Sequence, residues 1–341
     1  MRLYSLFRLT GLLLLAGLAS ACQPLFEPEP ARDPEAIFEH LWHTFDAHYA
    51  PFEARGIDWD AVYAVYRPQV TPASSDSELY RALTGMLGVL DDGHVNLSAP
   101  DRPVFRSNFW FRELEGDSLF DLQTVQARYL LPGSVLAEDR AFLHGMLEGG
   151  IAYVWFDYVG ENWNIMPELL DRYEDAKGLI VDLRHNQGGD FTYAFSNMGR
   201  LTAEDRLIFS SRTKNGRGPE DFTDWYSWTL RQSGPFWDKP LAVLTDRFTI
   251  SAGERAVMAF RALPQALLIG DTTNGATSTM ISGELANGWH YTIATQEVRM
   301  FDGKSCEGVG IAPDIRIQNT REGIRQGTDA VLERAAEELR Q

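Results

Sequence analysis

Gly178-Leu179-Ile180-Val181-Asp182-Leu183-Arg184-His185-Asn186-Gln187-Gly188-Gly189 is the stretch on which the fold turns. Residues 178–183 form a short apolar run that predicts a strand buried on both faces. The paired glycines after it let the backbone approach a ligand closely and leave amide N–H groups free to meet an anion, although a strand followed by a plain Gly turn explains the same residues. Working outward, Ile151 to Tyr158 reads as a strand and Met166 to Ala176 as a helix. Leu241 to Thr245, Ala266 to Ile269 and Trp289 to Ala294 add strands, and Ala252 to Leu263 and Asp329 to Arg340 add helices. Strands alternating with helices predict an α/β domain with both sheet faces covered.

Upstream the period changes. Ile37, Leu41, Trp42, Phe45 and Tyr49 recur at helical spacing, as do Trp59, Val62, Tyr63 and Tyr66, and then Leu79, Leu83, Met86 and Leu87 after a capping Ser75 or Asp76. The three helices end at Leu90-Asp91-Asp92-Gly93-His94. Residues 95–149 are mixed, with strand-like pieces at Val104 to Phe111 and Val135 to Ala137. The expected organisation is a leader over 1–21, a tether over 22–35, a helical subdomain over 36–94, a small mixed β segment over 95–149 and an α/β core over 150–341.

The leader carries Arg2 and Arg8, an apolar stretch from Leu9 to Leu18, and Ala19-Ser20-Ala21 before Cys22. That pattern reads as a signal peptide, too short to span a bilayer, with a lipoprotein-like cleavage box that makes Cys22 a lipidation site and the chain a cell-envelope protein held on the membrane. Gln23 after the cysteine suits outer-membrane sorting. The full chain has 31 bases against 48 acids, a formal charge of -17, and no run of Lys or Arg. Nucleic acid is therefore not an expected partner, and nothing pulls acidic substrates toward the molecule as a whole. Cleavage before Cys22 would leave 29 bases against 48 acids, about -19. The only other cysteine, Cys306, makes no CxxC pair, so a zinc module is not expected. Neither a metal nor a cofactor is called for.

Three further stretches carry chemistry. Ser251-Ala252-Gly253-Glu254 opens a helix, where a serine hydroxyl and the following amides favour a developing oxyanion. Ser-x-x-Glu is equally a capping box, and the local residues leave both readings open. Asp92-Gly93-His94 offers a base, since imidazole titrates near neutral pH. His185, inside the glycine stretch, is the reserve candidate, while His40, His43 and His48 read as a solvated helix face. Glu307, ahead of Gly308-Val309-Gly310, is able to orient an imidazole or to stand in water as a turn carboxylate.

Taken in order, Leu-x-Asp-Gly-His, Asp-Leu-Arg-x-Asn-x-Gly-Gly, Ser-Ala-x-Glu, Gly-Asp-Thr-Thr-x-Gly and Glu-Gly-x-Gly-Ile-x-Pro-Asp resemble the serine peptidase family of the C-terminal processing (tail-specific) proteases and the tricorn core protease. The resemblance runs from about Ile37 to about Leu339. It implies a crotonase-like spiral β/α core behind an N-terminal helical subdomain. It also implies catalysis by Ser251, with an oxyanion hole made by the amide of Ala252 and an amide from Gly188 or Gly189. The processing-protease branch places a catalytic lysine where this chain has Ala276. The tricorn-like branch, with a Ser-His-Glu arrangement, fits His94 and Glu307 instead. Between Val95 and Gly150 there are too few residues for the PDZ domain that many relatives insert there.

The expectation is a serine peptidase acting on peptides or unfolded polypeptide, with His94 within hydrogen-bond reach of Ser251 and Glu307 on the far side of the imidazole. Arg212 and Lys214, in a basic segment from Arg212 to Arg217, are candidate anchors for a substrate carboxylate, although an exposed solvated loop is the plainer reading. A non-catalytic ligand-binding protein on the same scaffold, like the retinoid-binding repeats of the interphotoreceptor matrix, is the alternative. A lipase elbow is not expected, because Thr249 breaks the Gly-x-Ser-x-Gly pattern.

Overall fold

The computed structural model describes residues 32–109, 119–137 and 141–340. The leader, Cys22, nearly all of the tether and the Phe111 end of the expected strand lie outside them. The core is a seven-stranded sheet in the order β14-β10-β9-β6-β5-β4-β3. It comprises β3 (Val135–Ala137), β4 (Phe142–Leu147), β5 (Ile151–Phe156), β6 (Gly178–Asp182), β9 (Leu241–Thr245), β10 (Ala266–Gly270) and β14 (Ile315–Arg316). The run from β5 to β14 is parallel, and β4 and β3 add an antiparallel edge.

Alternation along these buried strands divides the core in two. Ala152, Val154, Leu179, Val181, Leu241 and Val243 face helices α4 (Met166–Arg172), α5 (Phe191–Asn197) and α6 (Ala252–Arg261). Ile151, Tyr153, Ile180, Ala242 and Leu244 face α7 (Ala330–Glu338). A sheet covered on both faces explains why the sequence reads there as unbroken apolar runs.

The N-terminal helices α1 (Pro34–His48), α2 (Trp59–Tyr66) and α3 (Asp76–Gly88) begin at side-chain caps Asp33, Asp58 and Ser75. They do not close a core alone. Their apolar faces pack on Leu97, Tyr291 and Ile293 from a second sheet, β11-β12-β1-β2, and on Leu285 and Trp289 of the turn between β11 and β12. That sheet is built of β1 (Asn96–Ser98), β2 (Phe105–Arg106), β11 (Met280–Glu284) and β12 (His290–Ala294). A third sheet, β13-β7-β8, joins β7 (Arg206–Thr213), β8 (Tyr226–Leu230) and β13 (Gln296–Met300). Because β12 pairs with β1, chain near residue 290 lies beside the segment that follows His94.

Local expectations shift at several ends. The strand expected from Val104 narrows to Phe105–Arg106, and the helix expected to Ala176 ends at Arg172, preceded by a 3-10 turn over Glu161–Ile165. Arg212 and Thr213 belong to β7 rather than to a loop, and Lys214 is buried.

Candidate active site

Ser251 stands between β9 and α6, at the N-terminus of the helix. Its backbone has φ +58° and ψ -119°, a region that non-glycine residues occupy only when the surroundings enforce it. Ser75 provides an internal contrast. It caps α3 from extended backbone at φ -70° and ψ 160°, with Glu78 N–H donating to its Oγ at 3.4 Å. Capping needs no left-handed backbone, so the strain at Ser251 points to a further demand on that side chain.

The strain is held by neighbours. Ser251 N–H donates to Ala276 O and to Glu254 Oε2, both at 3.2 Å. Glu254 also accepts from Thr273 Oγ1 at 2.6 Å, Gly275 N at 2.8 Å and Ala276 N at 2.9 Å. Burial pushes its carboxyl up to about 7. The position that holds the lysine in the processing-protease branch is thus a buried alanine whose backbone bonds Ser251 and Glu254.

Gly188 lies against the serine, since a Cβ there would come within 2.8 Å of Ser251 Cβ. Its φ of +83° independently favours glycine. The Gly188 N–H is taken by Asn186 Oδ1 at 3.1 Å. Of the three expected oxyanion donors, this leaves Gly189 and Ala252, and both line the cavity in front of Ser251.

That cavity, about 590 Å³, also contains His94 and Arg255. Gly93 brings the histidine loop onto the serine loop, as a Cβ on it would strike Ile250 Cδ1 at 2.5 Å. His94 is buried, with its N–H on Asp92 Oδ1 at 2.8 Å and its carbonyl accepting from Thr292 Oγ1 at 2.7 Å. Neither imidazole nitrogen makes a hydrogen bond among the described residues. Burial lowers the ring to about 4; Asp92 works against this, and Arg255 and Arg55 work with it. The ring is therefore neutral at neutral pH, the form a general base needs.

Glu307 does not touch the imidazole. Its Oε1 accepts from Arg55 Nη2 at 2.6 Å, and its Oε2 accepts from Thr277 N and Oγ1, each at 2.9 Å. Burial and then the Asp92 carboxylate push Glu307 up, and Arg55 opposes them. Arg55 ties the cluster together, donating also to Asp91 O and Gly275 O at 2.8 Å and lying 3.6 Å from Asp92 Oδ2. Tyr49 Oη donates to the same Asp92 oxygen at 2.8 Å. Arg55 and Thr277 carry no local signature in the sequence, and Tyr49 reads there only as an apolar helix position. Asp92 was legible only as a neighbour of His94.

The remaining candidates lie elsewhere. Arg212 and Lys214 line a separate cavity of about 570 Å³, which Glu307 and Phe222 also border and which Ser251 does not. Arg212 pairs with Glu297 at 2.7 Å, and Lys214 donates to Gly218 O at 3.0 Å. His185 sits 3.3 Å from Asp246, outside the serine cavity. Cys306 is buried, and burial pushes its thiol up to about 12, which makes it a quiet packing residue. Among the described residues no cluster of His, Cys, Asp and Glu is arranged to hold a metal ion.

Comparison with known proteins follows the same outline. Residues 150–317 match peptidase family S41, and residues 30–88 match the tricorn protease C1 domain. A candidate peptidase from Parabacteroides merdae is 31% identical, with 91% of this chain and 97% of that chain covered and a TM-score of 0.81. A lipoprotein from Streptococcus agalactiae, 16% identical, shares the fold over 92% of this chain and 97% of its own, with a TM-score of 0.55. The nisin-resistance protein of Lactococcus lactis subsp. lactis is 28% identical over 153 residues, 42% of this chain and 47% of that protein. The match therefore spans about half the length of that curated relative.

Proposed function

The chain belongs to peptidase family S41, and on that premise we propose that it is an exported, lipid-anchored serine peptidase that hydrolyses peptides or unfolded polypeptide. The observation that carries the reading is the strained Ser251 sharing a cavity with a buried imidazole whose nitrogens have no hydrogen-bond partner among the described residues. His94 takes the Ser251 hydroxyl proton as Oγ attacks the scissile carbonyl. The amides of Ala252 and Gly189 hold the oxyanion. His94 returns the proton to the leaving amine, and water then releases the acyl group by the same route. Covalent labelling of Ser251 by a fluorophosphonate tests the nucleophile directly. The lipid anchor is supported by the leader alone, and Cys22→Ser is expected to move the protein from the membrane fraction to the soluble one.

Two carboxylates compete to stabilise the imidazolium. Glu307 is the one the family pattern assigns, and catalytic hydrogen bonds often close only on substrate. Asp92 is the one whose field raises His94 in this structure. Removing the carboxylate that acts lowers the imidazole further, so the acid limb of kcat/KM moves to lower pH. That shift is expected in Glu307→Gln if Glu307 serves, and in Asp92→Asn if Asp92 does. A limb unmoved in both variants removes His94 as the titrating base.

A further inference from the structure

Strand β11 is an edge. In the sheet β11-β12-β1-β2 it pairs with β12 on one side, and among the described residues no strand lies on the other. Thr279 O accepts from Thr295 N at 3.0 Å and Leu285 N donates to Trp289 O at 2.8 Å, one step beyond either end of the β11-β12 register. Hydrogen-bonded positions alternate along an antiparallel ladder. Thr279, Ile281, Gly283 and Leu285 therefore turn their backbone groups toward β12, and Met280, Ser282 and Glu284 turn theirs outward to the open edge.

Natural proteins blunt such edges with Lys, Pro or a covering segment, because unpaired N–H and C=O groups invite another chain. β11 has neither Lys nor Pro, and its one charged residue, Glu284, is at the far end. Met280 and Ile281 are 47% and 50% exposed, and Ser282 and Glu284 are exposed as well. The open edge also starts at the nucleophile. Ser278, Thr279 and Met280 line the serine cavity, and the rest of β11 runs out of it. Ala276, whose carbonyl accepts from Ser251 N–H, is four residues before Met280. A chain laid along β11 is thus delivered to Ser251.

We propose that β11 is the substrate-binding strand: an extended segment of polypeptide adds to it as a new edge strand, with the scissile bond at the Met280 end. This rests on reading Ser251 as the nucleophile and narrows the substrate class. Main-chain pairing supplies the affinity, so the substrate must offer free backbone, which unfolded chain has and helices or closed sheets do not. Met280 and Ile281 stand on opposite faces at the cavity end, so the substrate residues that pair beside them are preferentially apolar.

Affinity is read on full-length Ser251→Ala, where nothing is turned over. The probes are short overlapping peptides of oxidised insulin B chain, and the tightest is resynthesised with one backbone N–H methylated at a time. Methylation at every second position should weaken binding about 10-fold, the scale of one hydrogen bond, and methylation at the positions between should not. Ser282→Pro in the same background removes an outward N–H while sparing the β12 ladder, a placement that edge strands tolerate. It should weaken the parent peptide by about the same 10-fold, with thermal unfolding little changed. No binding by any peptide, losses without the two-residue alternation, or an affinity unmoved by Ser282→Pro overturns the proposal. So does a dimer in sedimentation that Ser282→Pro dissociates, since a second copy of the chain then occupies the edge. If Ser282→Pro does not fold, the methylation series decides alone. Hydrolysis by the unsubstituted chain is scored separately. Alternating losses without turnover leave the binding strand standing and remove the peptidase reading; turnover without alternation does the reverse.

Discussion

Ser251→Ala is expected to lower kcat by about 10⁴-fold or more, the scale of losing a serine nucleophile while binding and the oxyanion donors remain. Folding should be nearly untouched, within about 1 kcal/mol, the scale of a single cap bond, because the loop is held through its backbone and through Glu254. The matched control is Ser75→Ala, which removes an ordinary cap and should cost about 1 kcal/mol with no effect on turnover. If Ser251 were only a cap, the two variants would behave alike: a small loss of stability and full activity. Thermal unfolding and steady-state kinetics on both separate the readings. Full turnover by Ser251→Ala would end the peptidase mechanism.

The second large effect is expected at Arg55. Arg55→Met keeps much of the side-chain volume and removes the cation that, among the described residues, meets both Asp92 and Glu307, whose side chains are 0% and 4% exposed. Two buried carboxylates then face each other without an ion-pair partner among the described residues. Breaking a buried pair in this way typically costs about 3–5 kcal/mol. The sign of the pH dependence follows from linkage. Without Arg55, which opposes the rise of Glu307, the Glu307 carboxyl is raised further above its unfolded value, so the folded state takes up a proton there. The deficit should accordingly grow as pH rises from about 5 to about 8 and shrink on acidification. Denaturant unfolding across that range checks it. Turnover should fall as well, since Arg55 also holds Gly275 O on the loop that carries the Ser251 partners. A deficit independent of pH would mean that Arg55 contributes packing rather than charge.

The two variants bear on different layers of information. Ser251, His94 and the glycines were visible because each sits in a short local pattern: an apolar strand ended by Gly-Gly, a serine opening a helix, a histidine after a helix terminus. The parallel strands β5, β6, β9 and β10 were visible for the same reason, since burial writes a largely apolar run into five or six residues, whereas the two-residue β14 carries no such run. The strands β7, β8 and β13 were missed because they alternate weakly and carry Arg, Ser, Thr and Glu. The run β4 hides a glycine and a histidine that it buries against Ser134 and Tyr173. At Lys214 the sequence reading was overturned: a basic run suggested solvent, but strand pairing and Phe222 bury it.

By itself the sequence determined the α/β class, the order of the motifs and the absence of the lysine base at Ala276, because these depend on residue type and near spacing. Only the tertiary structure decided which charges meet. Arg55 and Glu307 stand 252 positions apart, and Ser251 shares its cavity with His94 only because β12 pairs with β1 and brings the helical region onto the core. The backbone strain at Ser251 belongs to the same class. A local sequence specifies what a side chain is, whereas its partner, burial and protonation are set by chain that arrives from elsewhere.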